Sequence, residues 1–276
     1  MTATVHWAAS LTAMSSIVHA GDTHGTTTLL RRETIATPDG MVQIPLVSGN
    51  ALRGRLRRIG EELHRDALQL EGELSLPAAY ALRNGGSLHK TSAASLSGRR
   101  LGQIRRLVPQ IGVFGCAAGD TLIDGALQVG KAIPQVTETT HLTGVRSAVS
   151  AFDLVQLEEY SHLDDLDTSD NPDDPDKEET GGNQMRFAVE TFPAGTVFST
   201  YFRLDRATDL QIAFFSDILD TFARAGRIGG RLSIGHGRVT LDHQCELVAG
   251  WYDDVDWRAQ LTRDRDAVLS ALEELR

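Results

Sequence analysis

The 276-residue sequence predicts an α+β fold in the order of a ferredoxin-like (RRM-type) domain with insertions. Two passages from strand to helix set that order. The first runs from an alternating N-terminal segment into a basic amphipathic helix, and the second from Thr196 through a helix ending at Ala225. The third observation is the stretch Gly226 to Val239, which holds five glycines and three arginines and ends in a β-branched, apolar tail. Glycine tolerates positive φ and lets a backbone come close to another molecule. Successive N–H groups in such a loop form a concave anion site, and arginine forks add bidentate phosphate contacts. Arg227, Arg231 and Arg238 supply those forks, so a phosphate chain is the expected ligand. A plain hairpin turn would use the same glycines.

Residues 4–18 alternate imperfectly through Val5, Trp7, Leu11 and Ile17, which predicts a first strand. His19 to Gly25 is expected to be a turn, with His19, Asp22 and His24 solvated rather than metal-bound. Thr26 to Ile35 is expected to be one strand, in which the neighbours Arg31 and Arg32 point to opposite faces. After Pro45, Ser48 is a plausible N-cap. Leu52, Leu56, Ile59 and Leu63 then form one apolar helix face, with Arg53 and Arg57 together on a second. The mouth of this helix, with Ser48 and Asn50, offers a second phosphate site. Solvated arginines on an ordinary amphipathic helix are the alternative.

Residues 61–110 are expected to be helical and loop-rich. Ile111 to Gly130 falls into short apolar pieces, with Leu127 to Val129 a strand. Asp164 to Gly182 is rich in Asp, Pro and Gly, a composition of mobile chain. Alternation of Met185, Phe187 and Val189 marks a returning strand. Thr196 to Leu204 is a strand, and Leu210, Phe214, Ile218 and Phe222 mark a helix. Residues 255–276 close with a charged helix.

The net charge of −10 is uneven: residues 1–152 carry +4, residues 153–179 carry −11 and the remainder −3. Acidity is therefore mostly one insert and does not exclude a nucleic-acid partner. No run approaches the ~18 apolar residues of a membrane span, and no leader-like N-terminus is seen. Cys116 and Cys245 stand alone without a CxxC, which fits a reducing cytoplasm and gives no zinc motif. The glycine spacing is neither a Walker nor a Rossmann pattern, so no nucleotide cofactor is expected.

Three motifs in order resemble the signatures of RAMP-superfamily backbone subunits, the seventh Cas protein family of class 1 CRISPR effector complexes. They are His19-Ala-Gly, Ile44-Pro-Leu-Val-Ser-Gly-Asn-Ala-Leu-Arg-Gly and Gly229-Gly-Arg-Leu-Ser-Ile-Gly-His-Gly-Arg-Val. Leu29-Leu-Arg-Arg-Glu and Leu82-Arg-Asn-Gly-Gly-Ser-Leu look most like the type IV branch. The resemblance implies a palm made of 1–60, 111–143 and 193–250, a helical insertion at 61–110, a thumb excursion at 144–192 with an acidic tip at 164–182, and a C-terminal helix at 251–276. It implies copies stacked head-to-tail on guide RNA, with complementary target nucleic acid and other effector subunits as partners, and no membrane. The implied RNA contacts are Ser48, Asn50 and Arg53 at the helix mouth and Gly229, Gly230, Arg231, Ser233, Gly235, His236 and Gly237 in the loop, with Met185 a wedge in the thumb. Arg31, Arg32, Arg57, Lys90, Arg146 and Arg186 are further candidates. Type III relatives cleave target RNA with an aspartate where this chain reads Arg31-Arg32. The expected function is thus a non-catalytic RNA-binding backbone, with no metal or cofactor. The alternatives are a metal-dependent endoribonuclease using Asp22, perhaps with His19, and a small-molecule enzyme holding a nucleotide in the glycine loop.

Overall fold

The computed structural model describes residues 1–86, 98–118, 121–162 and 185–275. Lys90 and the stretch Asp164 to Gly182 fall outside these, as does the side chain of Met185. A central antiparallel sheet is built from β1 (Ala3–Ala13), β8 (Leu127–Val129), β12 (Val197–Ala207) and β13 (Val239–Gly250), in the order β13-β1-β12-β8. The short β9 (Ile133–Pro134) also pairs with β12. α1 (Gly49–Leu68) and α6 (Asp209–Ala225) pack against each other and cover one face. That face of β1 buries Val5, Trp7 and Leu11, while β12 contributes Phe198, Phe202 and Leu204. Phe215 of α6 stands edge-on to both Trp7, at 5.2 Å, and Phe202, at 6.1 Å. Edge-to-face geometry of this kind stabilises a core beyond its buried area.

Helix α1 forms for the reasons its sequence contains. The Ser48 side chain caps Ala51 N, and Leu52, Leu56 and Ile59 are buried on one stripe. Gln69 ends the helix in a left-handed conformation. In α6, Thr208 and Gln211 make a reciprocal capping box, and Leu210, Phe214, Ile218 and Phe222 are all buried. Among the described residues of 61–110, α1 continues to Leu68, and α2 (Leu76–Asn84) and α3 (Gly98–Leu107) follow. Next comes α4 (Pro109–Phe114), where the glycine pattern had pointed only to short apolar pieces. Pro109 at the first turn of α4 removes no needed N–H, and all six of its residues are buried. The C-terminal region is two helices, α7 (Trp257–Arg263) and α8 (Arg265–Glu273), rather than one.

Residues 20–37 differ most from expectation. The supposed turn contains strand β2 (Ala20–His24), and the supposed single strand is broken into β3 (Thr27–Leu30) and β4 (Arg32–Thr37) at Arg31. β4 pairs with β5 (Gly40–Pro45). β3 instead joins a second sheet, ordered β10-β11-β3-β2, with β10 (Gln156–His162) and β11 (Met185–Thr191) forming an antiparallel pair. The alternation at Phe187 and Val189 is therefore a real strand, with Val189 fully buried. The remaining small elements are β6 (Cys116–Ala118), β7 (Thr121–Ile123), α5 (Thr140–Thr143) and two 3-10 turns, Thr137–Thr139 and Leu232–Ile234.

Candidate nucleic-acid interface

Three of the sequence motifs converge on one segment, residues 16–21. The glycine loop closes on it first: Gly237 N donates to Ser16 O, and Gly230 N donates to Val18 O, both at 2.8 Å. The approach is too tight for a side chain. A Cβ on Gly229 would lie 2.2 Å from Val18 O, and one on Gly237 2.2 Å from Ile228 O. Both glycines also have positive φ, +78° and +79°. On the other flank Arg31 N donates to His19 O at 2.8 Å. The helix mouth is tied in by Ser48 N, which donates to His19 Nε2 at 3.1 Å. Burial, and then the neighbouring Arg31 cation, push the His19 imidazole below its ordinary value. A neutral ring accepting at Nε2 fits that environment.

The exposed rim of this junction is cationic. Arg31 is exposed, as are Arg227, Arg231 and Arg238 in the glycine loop, with Ser233, Gly230 and Gly235 between them. An open groove of about 670 Å³ beside Arg31 is lined by Asp22, His24, Arg32, Gln43 and Glu190, among others. Arg231 itself is held in a left-handed conformation at φ 54°, uncommon for a residue with a side chain. Its guanidinium lies 4.6 Å from the ring centroid of Tyr160 on β10.

Several expected contacts are already committed inside the protein. Arg53 donates to Leu127 O and, at 2.8 Å, to Phe114 O. Arg57 donates to Phe114 O at 2.6 Å and Gly115 O at 3.0 Å. Burial, with Arg53 next door, pulls the Arg57 guanidinium down to about 10. These arginines are internal struts between α1 and the end of α4, because unpaired carbonyls there need donors. Arg32 forks onto the Glu190 carboxylate of β11, at 2.8 Å and 3.0 Å. Burial would raise Glu190, but Arg32 and the Leu30 N–H outweigh it and hold its carboxyl below the ordinary range. Ser48 spends its hydroxyl on its own helix cap. His236 and Gly237 are buried rather than presented.

The His236 ring is the hub of a small network. Its Nδ1 lies 3.0 Å from Ser16 Oγ, and its Nε2 lies 2.6 Å from the Tyr160 hydroxyl. That hydroxyl donates onward to Glu158 at 3.1 Å, and Thr191 donates to the same carboxylate. Burial opposes ionisation of Glu158, yet these hydroxyls, Ser16 and His236 keep its pKa low. Nothing in the spacing tied Tyr160 and Glu158 to a loop 76 residues away. The usable signal was weak: the two stand at i, i+2, which puts them on one face of a strand.

Asn50 and Arg186 are exposed, at the helix mouth and at the start of β11. Arg146 is exposed on a connection whose bonds run to Thr137 and Glu138. Among the described residues no three of His, Cys, Asp or Glu stand close enough to hold a metal ion, and no helix is long and apolar enough to cross a membrane. Asp22 is exposed on β2.

An antiparallel sheet backed by two helices, with a glycine loop closed on the segment leaving its first strand, defines the class. The chain belongs to the RAMP superfamily, whose model matches residues 21–240. Among solved structures it is similar to a chain of a Type IV-B CRISPR complex, at 32% identity and a TM-score of 0.69. That match covers 92% of this chain and 96% of the other. A search of curated proteins returns no match.

Proposed function

We propose that this protein is a non-catalytic, RNA-holding backbone subunit of a type IV CRISPR ribonucleoprotein. On this reading the central sheet and its two helices are a ferredoxin-like palm. The order β13-β1-β12-β8, with α1 after β1 and α6 after β12, supports it. The β10–β11 pair is the base of the thumb. The observation that carries the function is the convergence on residues 16–21. It sets an exposed arginine-and-glycine rim, Arg31, Arg227, Arg231 and Arg238, around one backbone segment. Cations in that arrangement take phosphates without reading bases, as a guide of arbitrary sequence requires. Partners on this reading are guide RNA, a complementary target, further copies stacked head-to-tail and other subunits of the complex. Phosphate contact is assigned to Arg31, Arg231 and the exposed loop residues Gly230, Ser233 and Gly235, with Asn50 and Arg186 flanking. The cation at Arg31 holds an anion but accepts no proton, which favours holding over cutting.

Purification without nuclease tests the reading. A large particle whose absorbance is dominated by RNA is expected. Cleavage of complementary labelled RNA at regular intervals, lost in Asp22→Ala, would transfer the assignment to a nuclease.

A further inference from the structure

We propose that Tyr160 of β10 is a positioning residue for the RNA contact made by the glycine loop, holding Arg231 on its ring face and His236 on its hydroxyl. The inference rests on the RNA-holding reading and adds a part to it: the thumb strand sets the loop's grip. Two independent features point the same way. The first is that one side chain engages both ends of the loop. Arg231, near its start, lies 4.6 Å from the ring centroid, and His236, near its end, lies 2.6 Å from the hydroxyl. The second is the backbone of Arg231, whose φ of 54° is a conformation that bulky residues rarely adopt. Surrounding contacts must hold it, and among the described residues its guanidinium meets Tyr160, over the ring face and beside the hydroxyl.

The chemistry fits a grip rather than a plug. A cation lying on an aromatic face keeps its charge and its outward N–H groups while losing rotamer freedom. Arg231 is exposed, so a phosphate can reach the edge turned away from the ring. Glu158 fixes the tyrosine in turn by accepting its hydroxyl proton, and Thr191 anchors Glu158 across the β10–β11 pair. The relay therefore runs from the hairpin, through one phenol, to the two residues that bracket the loop's exposed turn.

The test uses the full chain and a single-stranded RNA oligonucleotide of mixed sequence, titrated over a series of salt concentrations. Arg231→Ala should flatten the salt slope by about 0.7, one phosphate contact on a single strand. Tyr160→Ala should flatten it by a similar amount, and the double variant no further, because both remove the same contact. Tyr160→Phe, which keeps the ring, should restore the slope even if the protein melts lower. A folded Tyr160→Ala with an unchanged slope overturns the proposal, and so does a doubled loss in the double variant. Should Tyr160→Ala be insoluble, Tyr160→Phe decides alone: a slope as flat as that of Arg231→Ala means the ring face by itself does not hold the arginine, and the proposal as stated falls. Failure of the unaltered protein to bind RNA would sink the parent reading first, and the two failures are thereby distinct.

Discussion

His64 on α1 should make the stability of this protein sensitive to mild acid. Its side chain is completely buried, neither ring nitrogen has a hydrogen-bond partner among the described residues, and its neighbour Phe214 is edge-on at 6.5 Å. Burial alone pushes the imidazole down to about 4 from an ordinary 6.5. The folded pKa is lowered, so the unfolded chain takes up the proton first. Stability from this group is complete above pH 6.5 and drains away as pH falls toward 4. A separation of about 2.5 units at about 1.4 kcal/mol each sets the full loss near 3 kcal/mol, of which about 2 kcal/mol is gone by pH 5. His64→Leu keeps an apolar side chain of similar size and removes the titration. Urea unfolding of both proteins at pH 8, 6.5 and 5 is the assay. The natural protein should lose about 2 kcal/mol relative to the variant between pH 8 and pH 5. Parallel pH profiles for the two would refute the reasoning, since acid lability would then lie in other groups.

Three further outcomes are expected. Arg57→Ala should cost about 1.5–3 kcal/mol in chemical denaturation, the worth of charge-assisted bonds to Phe114 O and Gly115 O, yet leave the salt slope of RNA binding unchanged. A flattened slope would return Arg57 to the phosphate contacts. Gly237→Ala forces a Cβ to 2.2 Å from Ile228 O at φ +79°, and should lower the melting temperature by several degrees while loosening the loop's hold on RNA. Arg32→Ala should destabilise the fold at neutral pH by leaving the Glu190 carboxylate with Leu30 N as its remaining partner among the described residues, and Glu190→Gln in the same chain should recover most of the loss on thermal melting.

How much of this was legible depended on whether burial left a period in the sequence. α1 and α6 each press one stripe into the core, so Leu52, Leu56, Phe214 and Ile218 announced them. β2 is exposed along its whole length, and β13 is exposed from Asp242 onward. With no buried face there, neither β2 nor β13 beyond Leu241 could show alternation. Gly112 hid α4 for a packing reason: a Cβ there would meet Gln211 Nε2 at 2.1 Å, so the glycine is set by a neighbour, not by a turn. The arginines were harder still. A phosphate oxygen and a backbone carbonyl ask a guanidinium for the same thing, so Arg31 and Arg53 look alike until the fold shows which one faces out.

The position of β1 in its sheet has a consequence for synthesis. It is flanked on both sides, by β12 and β13, and both partners come roughly two hundred residues later. At about 5–20 residues per second on the ribosome, the strand waits on the order of ten seconds or more with Val5, Trp7 and Leu11 unpaired. The helices that will cover it emerge in two instalments, α1 early and α6 only after β12. An emerging chain therefore carries an apolar, ladder-ready segment through most of its translation. Factors that shield nascent chains should therefore influence how much of this protein is recovered.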